Sequence, residues 1–292
     1  MPPLETHRAA RSSRFGRARG ETRPGRARRA RRNWIATLLL ALASSPNCAS
    51  GTDDYNARRS ALVESIRREW AELSRQVPTV GAPHEGALAA IAKVPRHELV
   101  PESRRGEAYE DRPLPIGEGQ TISQPFIVAL MTALAAPDRD DVVLEVGTGS
   151  GYQAAVLAEL VAKVYTIEIV EPLARKAAAD LARLHYDNVV TRIGDGYAGW
   201  PEHGPFDAIV VTAAAPEVPQ PLIDQLKPVE GRLVIPVDSG GYQDLLVLSK
   251  SADGKVERRM VIPVRFVPLT GKARDGGKTD EPPAKVVPAR PK

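Results

Sequence analysis

The sequence predicts an α/β protein with a doubly wound, mostly parallel sheet, because two patterns recur along residues 140–270. Short apolar runs rich in Val and Ile alternate with Ala-rich amphipathic segments, as in successive strand–helix–strand units. Glycines at positions 147, 149 and 151 directly follow the first of these runs. A strand, a glycine turn and a helix N-terminus in this order are typical of a nucleotide-binding crevice, although the glycines alone also fit a simple packing turn.

Helices are expected before the sheet. The first predicted helix places Leu62, Ile66, Trp70 and Leu73 on one stripe, with charged residues opposite. Helical spacing is present over 53–76, 85–93 and 126–135, and a Pro- and Gly-rich connection lies between the last two, over 94–125.

The later elements follow the alternating pattern. Strands are expected over 141–146, 164–169, 189–193, 206–211, 231–237, 245–249 and 260–267. Helices are expected over 152–162, 172–184 and 222–226. Because the last two strands have no helix between them, they predict a C-terminal extension of the sheet.

Charge and composition divide the chain into three parts. Residues 1–33 contain eleven Arg and two Glu, so the rest of the chain is acidic although the whole carries +4. An apolar run then ends in Ala41-Leu42-Ala43, which fits a secretory signal with its cleavage site; an unstructured extension is the alternative. We expect a disordered leader over 1–52, one folded domain over 53–271 and a disordered tail over 272–292.

The composition argues against several kinds of site. The only cysteine is Cys48, and the five histidines show no metal-ligand spacing, so neither a disulfide nor a metal site is expected. The acidic body argues against a nucleic-acid partner. Lipidation of Cys48 is disfavoured because residues 45–47 match a lipobox poorly.

Two acidic residues are expected at the same sheet edge as the glycine turn. Glu168 lies near the end of the second strand, where a carboxylate can accept hydrogen bonds from both hydroxyls of a ribose. Asp195 lies between two glycines after the third strand and can accept from an adenine amino group. The simpler alternatives are a surface Glu and an ordinary Asp-Gly turn.

The glycine spacing distinguishes two nucleotide cofactors. Nicotinamide enzymes more often show G-x-G-x-x-G. Here G-x-G-x-G follows Glu145, which resembles the S-adenosylmethionine loop of class I methyltransferases. Methylation of base amino groups is disfavoured because the segment after the fourth strand, residues 212–216, has no Asn/Asp-Pro-Pro-Tyr cluster. Methylation of pyrimidine ring carbons is disfavoured because it needs a cysteine that attacks the ring, and the only cysteine, Cys48, lies in the leader.

Over about residues 55–271 the chain resembles the protein-L-isoaspartate O-methyltransferases. The matching blocks occur in that family's order. They are Val94-Pro95-Arg96-His97-Glu98-Leu99-Val100-Pro101, residues 108–125 with Thr121-Ile122-Ser123, Leu144-Glu145-Val146-Gly147-Thr148-Gly149-Ser150-Gly151-Tyr152-Gln153, Gly194-Asp195-Gly196, residues 206–209, 213–216 and 222–228, and Arg265-Phe266-Val267-Pro268-Leu269-Thr270-Gly271.

The resemblance implies a Rossmann-like class I fold and methyl transfer from S-adenosylmethionine to the α-carboxylate of L-isoaspartyl residues in damaged proteins. It implies that Ser123 is the active-site serine, carried on the 111–125 segment over the glycine turn. The alternative for Ser123 is an N-cap of the helix that starts near Pro125, and both roles can hold together. Cofactor contacts are implied for Gly147, Thr148, Gly149, Ser150, Gly151, Glu168, Asp195 and Gly196, with Thr270 near the same cleft.

Two alternatives and two departures accompany this interpretation. The alternatives are a nucleotide-dependent oxidoreductase and a catalytically silent S-adenosylmethionine-binding module. Residues 227–231 read Lys-Pro-Val-Glu-Gly where the family usually has Lys-Pro-Gly-Gly, and the Arg-rich leader is unusual. We expect a monomer in the cytoplasm, where S-adenosylmethionine is made, with export through the leader as the alternative.

Overall fold

The computed structural model of the protein describes residues 51–273 and 285–286. The helices are α1 (Gly51–Gln76), α2 (Glu85–Lys93), α3 (Pro125–Ala135), α4 (Tyr152–Ala158), α5 (Glu171–Arg183) and α6 (Gln220–Asp224). The strands are β1 (Leu114–Gly117), β2 (Gln120–Ile122), β3 (Val142–Val146), β4 (Lys163–Glu168), β5 (Val189–Ile193), β6 (Ala208–Val211), β7 (Arg232–Asp238), β8 (Gln243–Lys250), β9 (Val256–Val264) and β10 (Lys285–Val286).

The main sheet has the strand order β10-β5-β4-β3-β6-β7-β8-β9. Strands β5, β4, β3, β6 and β7 are parallel, and β8 and β9 continue the sheet antiparallel to their neighbours. The strand order reverses at β3, which lies between β4 and β6, so a crevice is expected at its carboxyl end. The predicted doubly wound, mostly parallel sheet with a C-terminal strand extension is confirmed.

Alternate residues of the central strands pack on opposite faces of the sheet. Val143 belongs to the core cluster that contains residues of α1 to α5, whereas Leu144 and Val146 pack with α6 and Trp200. This two-residue period follows from the pleat of a strand. Both faces are therefore covered, as a parallel sheet requires.

The N-terminal helices are confirmed. Leu62, Ile66 and Trp70 of α1 are buried, as their spacing predicts. Trp70 and Phe126 of α3 form an edge-to-face pair with ring centroids 6.1 Å apart. These helices cover the sheet face that carries Val143.

The largest differences from the prediction lie in three regions of the chain. Residues 94–125 are more than a connection, because β1 and β2 form an antiparallel hairpin within them. The helix predicted over 152–162 ends at Ala158, and β9 begins at Val256 instead of residue 260. The first half of β9 is mostly charged and exposed, so the sequence pattern does not indicate a strand there. In the structure β9 pairs with β8 along its whole length.

The predicted leader lies outside the described residues, except for its last two positions. Of the predicted tail, residues 272–273 continue the fold in a 3₁₀ turn, and residues 285–286 pair antiparallel with β5. The rest of the tail lies outside the described residues. Among the helices of 51–273, none is both long and apolar enough to cross a membrane.

Candidate active site

A cleft of about 740 Å³, including its open mouth, lies at the carboxyl edge of the parallel strands. One side is formed by residues 147–150 of the glycine loop, which spans residues 147–151, together with the ends of β4 and β6. The other side consists of residues 120–123 and 267–270. The cleft therefore combines parts of the chain that are far apart in sequence.

The glycine loop needs its glycines for two separate reasons. Gly147 has φ 100° and Gly149 has φ 52°, both in the region that disfavours side chains. In addition, a Cβ on Gly147 would lie 2.4 Å from Thr212 Oγ1, a hydroxyl that donates to Gly147 O. Because these positions have no side chain, a ligand can reach the loop backbone.

Glu168 joins the loop to the end of β4. It is 6% exposed; its Oε2 accepts from the Gly149 N–H at 2.7 Å and its Oε1 from the Val170 N–H at 2.9 Å. A carboxylate oxygen can accept more than one hydrogen bond, so Glu168 can also accept from a diol in the cleft, which it lines.

Two of the predicted cofactor residues do not line the cleft. The carboxylate of Asp195 instead accepts from the N–H groups of Tyr197 at 2.9 Å and Lys272 at 2.7 Å, which ties β5 to the C-terminal segment. Gly151 begins α4 at φ 84°, where a Cβ would lie 3.2 Å from Leu181. The other eight predicted site residues line the cleft: Ser123, Gly147, Thr148, Gly149, Ser150, Glu168, Gly196 and Thr270.

Ser123 follows β2 and lines the cleft, but it does not cap α3. The N-cap of α3 is Gln124, whose side chain makes no capping bond. The capping bond comes instead from Asp111, which is 15 residues from Phe126 in sequence and whose Oδ1 accepts from the Phe126 N–H at 2.8 Å. The alternative of Ser123 as the helix cap is therefore wrong.

Among the cleft residues that the sequence-based site omitted are Thr212 and Glu145. Glu145 is fully buried within β3 and its Oε2 accepts from the Thr166 hydroxyl. Burial raises the pKa of its carboxyl to about 8. Its Oε1 has no partner within the described residues. The sequence does contain a signal for Glu145, because it is a carboxylate inside an apolar strand. Burying an ionised carboxylate is costly, so its presence there indicates a structural or functional role.

Comparisons with known proteins decide the family. The model of the protein-L-isoaspartate(D-aspartate) O-methyltransferases matches residues 71–274. The chain belongs to this family.

Relatives and solved structures agree. The chain is 60% identical over 242 residues to a protein-L-isoaspartate O-methyltransferase of Opitutus terrae, covering 83% of this chain and 98% of the relative. It is 60% identical over 211 residues to protein-L-isoaspartate O-methyltransferase 2 of Nitrosococcus oceani, with 72% and 95% covered. A solved Plasmodium falciparum structure, a putative member in complex with S-adenosyl-L-homocysteine, is 26% identical, with a TM-score of 0.60, and 73% and 98% of the two chains are covered.

Membership fixes the class of reaction and the cofactor. The chain is an S-adenosylmethionine-dependent methyltransferase. The oxidoreductase and silent-module alternatives are not favoured.

Proposed function

We propose specific residue roles for the reaction of this enzyme, which methylates L-isoaspartyl residues of damaged proteins with S-adenosylmethionine. One observation carries the proposal: Ser123 lines the same cleft as the glycine loop and Glu168. A hydroxyl and a nucleoside-binding edge in one cleft suit a reaction that brings a carboxylate to a bound methyl donor.

The loop side of the cleft fits the cofactor. The backbone of 147–150 is open to a ligand, and Glu168 keeps acceptor positions for the ribose hydroxyls. Gly196 and Val146 both line the cleft, and a Cβ on Gly196 would lie 2.3 Å from Val146 Cγ1, so this position, where we place the base, has to lack a side chain. We assign cofactor contacts to these residues and to Thr270. Gly151 and Asp195 do not line the cleft, and we assign them a supporting role in its shape.

The reaction asks little acid–base chemistry of the protein. S-adenosylmethionine supplies a methyl group that is already activated by the sulfonium. An isoaspartyl carboxylate is ionised at neutral pH and needs no base. Ser123 therefore acts by donating a hydrogen bond that orients the carboxylate, while the cleft limits access of water; this is catalysis by proximity and desolvation.

The product then leads to repair without further help from the enzyme. The methyl ester is a better leaving group than the carboxylate, so the neighbouring backbone nitrogen closes a succinimide. Hydrolysis of this ring converts a fraction of the damaged residues to normal aspartate.

A pair of peptides tests the proposal. An isoaspartyl peptide and its aspartyl twin are incubated with labelled S-adenosylmethionine, and only the first should be labelled. Ser123→Ala should lower kcat on the isoaspartyl peptide by roughly 10- to 100-fold, the value of one hydrogen bond to a charged group. Its affinity for S-adenosylhomocysteine should be unchanged. Unchanged kcat in Ser123→Ala would remove the assigned role.

Three broader assignments complete the proposal. We infer a monomer, since one chain supplies both sides of the cleft, and light scattering tests it. We infer no nucleic-acid partner, because the chain after residue 33 is acidic, and a DNA or RNA gel-shift assay tests this. We infer a cytoplasmic location because the cofactor is made there; recovery of the protein from an exported fraction would contradict it.

A further inference from the structure

Residues 108–125, here called the arm, carry Ser123 to the cleft. The arm contains the β1–β2 hairpin, and its tip at Gly117–Gly119 turns through three residues of positive φ. Catalysis by proximity requires the reacting groups to be held within a fraction of an ångström, and a misplacement of about 1 Å can cost roughly 100-fold in rate. The arm must therefore be anchored firmly at its base.

Arg96 anchors the base of the arm. It precedes the arm by 12 residues in sequence; its Nε donates to Ala108 O at 2.9 Å and its Nη2 donates to Arg112 O at 3.3 Å. The guanidinium lies over the ring of Tyr152, 4.6 Å from the centroid. Tyr152 is the first residue of α4, lines the cleft and directly follows the glycine loop. Arg96 thus connects the arm to the helix that carries the loop.

Asp111 closes the base of the arm. Its Oδ1 accepts from the Phe126 N–H, which follows the arm, so the first and last parts of the arm are tied together three residues from Ser123. The same bond satisfies a free N–H at the start of α3. Arg96 and Asp111 therefore act at neighbouring points of one support.

The burial of Arg96 indicates that its shape is needed. The side chain is fully buried, forms no ion pair within the described residues and leaves Nη1 without a partner there. Burying such a charge is costly, and a well-packed apolar residue of similar volume would often stabilise the fold more. An apolar residue or a Lys could not bond two carbonyls in one plane while stacking on a ring. The burial of the Arg96 guanidinium is therefore better explained by a role in positioning the arm than by a contribution to stability.

We propose that Arg96 and Asp111 are positioning residues for methyl transfer, which hold the Ser123 arm at a fixed place relative to the glycine-loop helix. This proposal rests on the role assigned to Ser123. Neither residue lines the cleft, so the two should affect turnover and substrate engagement but not cofactor affinity.

The first test compares Arg96→Lys and Arg96→Met with Arg75→Gln. Arg75→Gln removes an exposed arginine of α1, whose side chain pairs only with Glu72 among the described residues and lies outside the arm, and it should behave as wild type. Both Arg96 variants should lose roughly 10- to 100-fold in kcat on the isoaspartyl peptide. Their Kd for S-adenosylhomocysteine, measured by calorimetry, should stay within about threefold of wild type. Wild-type kcat with only a lower Tm would overturn the proposal, and so would equal losses in kcat and cofactor affinity.

Asp111 offers a second test that does not depend on a fully buried position. Asp111→Ala removes the acceptor for the Phe126 N–H and should lower kcat, whereas Asp111→Asn retains an acceptor oxygen and should recover most of the loss. If the Arg96 variants do not fold, this pair decides: equal kcat in Ala and Asn would refute the proposal. Failure of the assigned Ser123 role is separate, because Ser123→Ala would then have normal kcat while the Arg96 and Asp111 variants could still be impaired.

Discussion

The two sides of the cleft are built by different means. On the loop side, the shape comes from local backbone geometry: glycines at positive φ, a strand end and the two N–H groups bound by Glu168. On the arm side, the position of Ser123 depends on the remote polar groups Arg96 and Asp111. The loop side should therefore be disrupted by adding a side-chain atom to one of its glycines. The arm side should be disrupted by removing one of the hydrogen bonds that Arg96 and Asp111 make. The loop side should govern cofactor binding and the arm side turnover.

The largest effect is expected at Gly147. Gly147→Ala adds a Cβ 2.4 Å from Thr212 Oγ1 at φ 100°, so both strain and a clash oppose it. Left-handed strain costs about 1–2 kcal/mol and overpacking about 1–3 kcal/mol. The free loop should shift to relieve this cost, which returns when the cofactor holds the loop in place, so affinity for S-adenosylhomocysteine should fall by roughly 100-fold or more. Calorimetry measures it.

A matched glycine provides the control. Gly106→Ala places a Cβ where no atom lies within 4 Å and should bind S-adenosylhomocysteine like wild type. If Gly147→Ala also binds normally, the loop side does not depend on its backbone geometry.

These origins also explain what sequence could predict. The sheet and the loop follow from local patterns, since apolar runs alternate with helical spacing and glycines mark the turn. The arm hairpin was missed because its apolar alternation is interrupted by Pro115, Gly117 and Gly119. The support by Arg96 and Asp111 was missed because both contacts join residues 12 to 16 positions apart with no local periodicity. The alternative of Ser123 as the cap of α3 rested on the local pattern of a Ser before Pro125, whereas the actual acceptor, Asp111, is 15 residues from Phe126.

The next effect is expected at Glu168. Glu168→Gln replaces one acceptor with an NH₂ that would face a backbone N–H of Gly149 or Val170. Loss of a hydrogen bond to a charged group costs about 1.5–3 kcal/mol, so affinity for S-adenosylhomocysteine should fall by roughly 10- to 100-fold. The exposed Glu171→Gln is the control, since it loses only an ion pair with Arg175. Equal affinities in the two variants would mean that Glu168 does not support the loop side.

A pH effect is expected from Glu145, on the loop side. Burial raises the folded-state pKa of its carboxyl to about 8, above the ordinary value, so the folded state favours the protonated acid. This contribution to stability is complete at low pH and is lost as pH rises towards 8, by up to about 1.4 kcal/mol per pH unit. Glu145→Gln cannot ionise, so its stability relative to wild type should increase from pH 5 to pH 8 without cofactor. Thermal unfolding across this range measures it, and a constant difference would contradict the assignment.

The smallest effect lies outside both sides, in the turn that departs from the family pattern. Glu230 has φ 63°, a conformation that suits glycine. Glu230→Gly should stabilise the fold by about 0.5–1 kcal/mol, after the entropy of the unfolded glycine is subtracted from the relieved strain. Val229→Gly is the matched control, because Val229 is exposed and does not have positive φ, and it should destabilise. Denaturant unfolding of both variants measures this, and activity should not change.

The most direct measurement is a crystal structure with S-adenosylhomocysteine and an isoaspartyl peptide bound together. We predict that the nucleoside lies against 147–150 and Glu168, with the peptide carboxylate between Ser123 and the cofactor sulfur. The Ser123 Oγ should lie within about 2.6–3.2 Å of a carboxylate oxygen. A peptide whose carboxylate points away from Ser123, or a cofactor bound away from the glycine loop, would contradict the division of the cleft into a binding side and a turnover side.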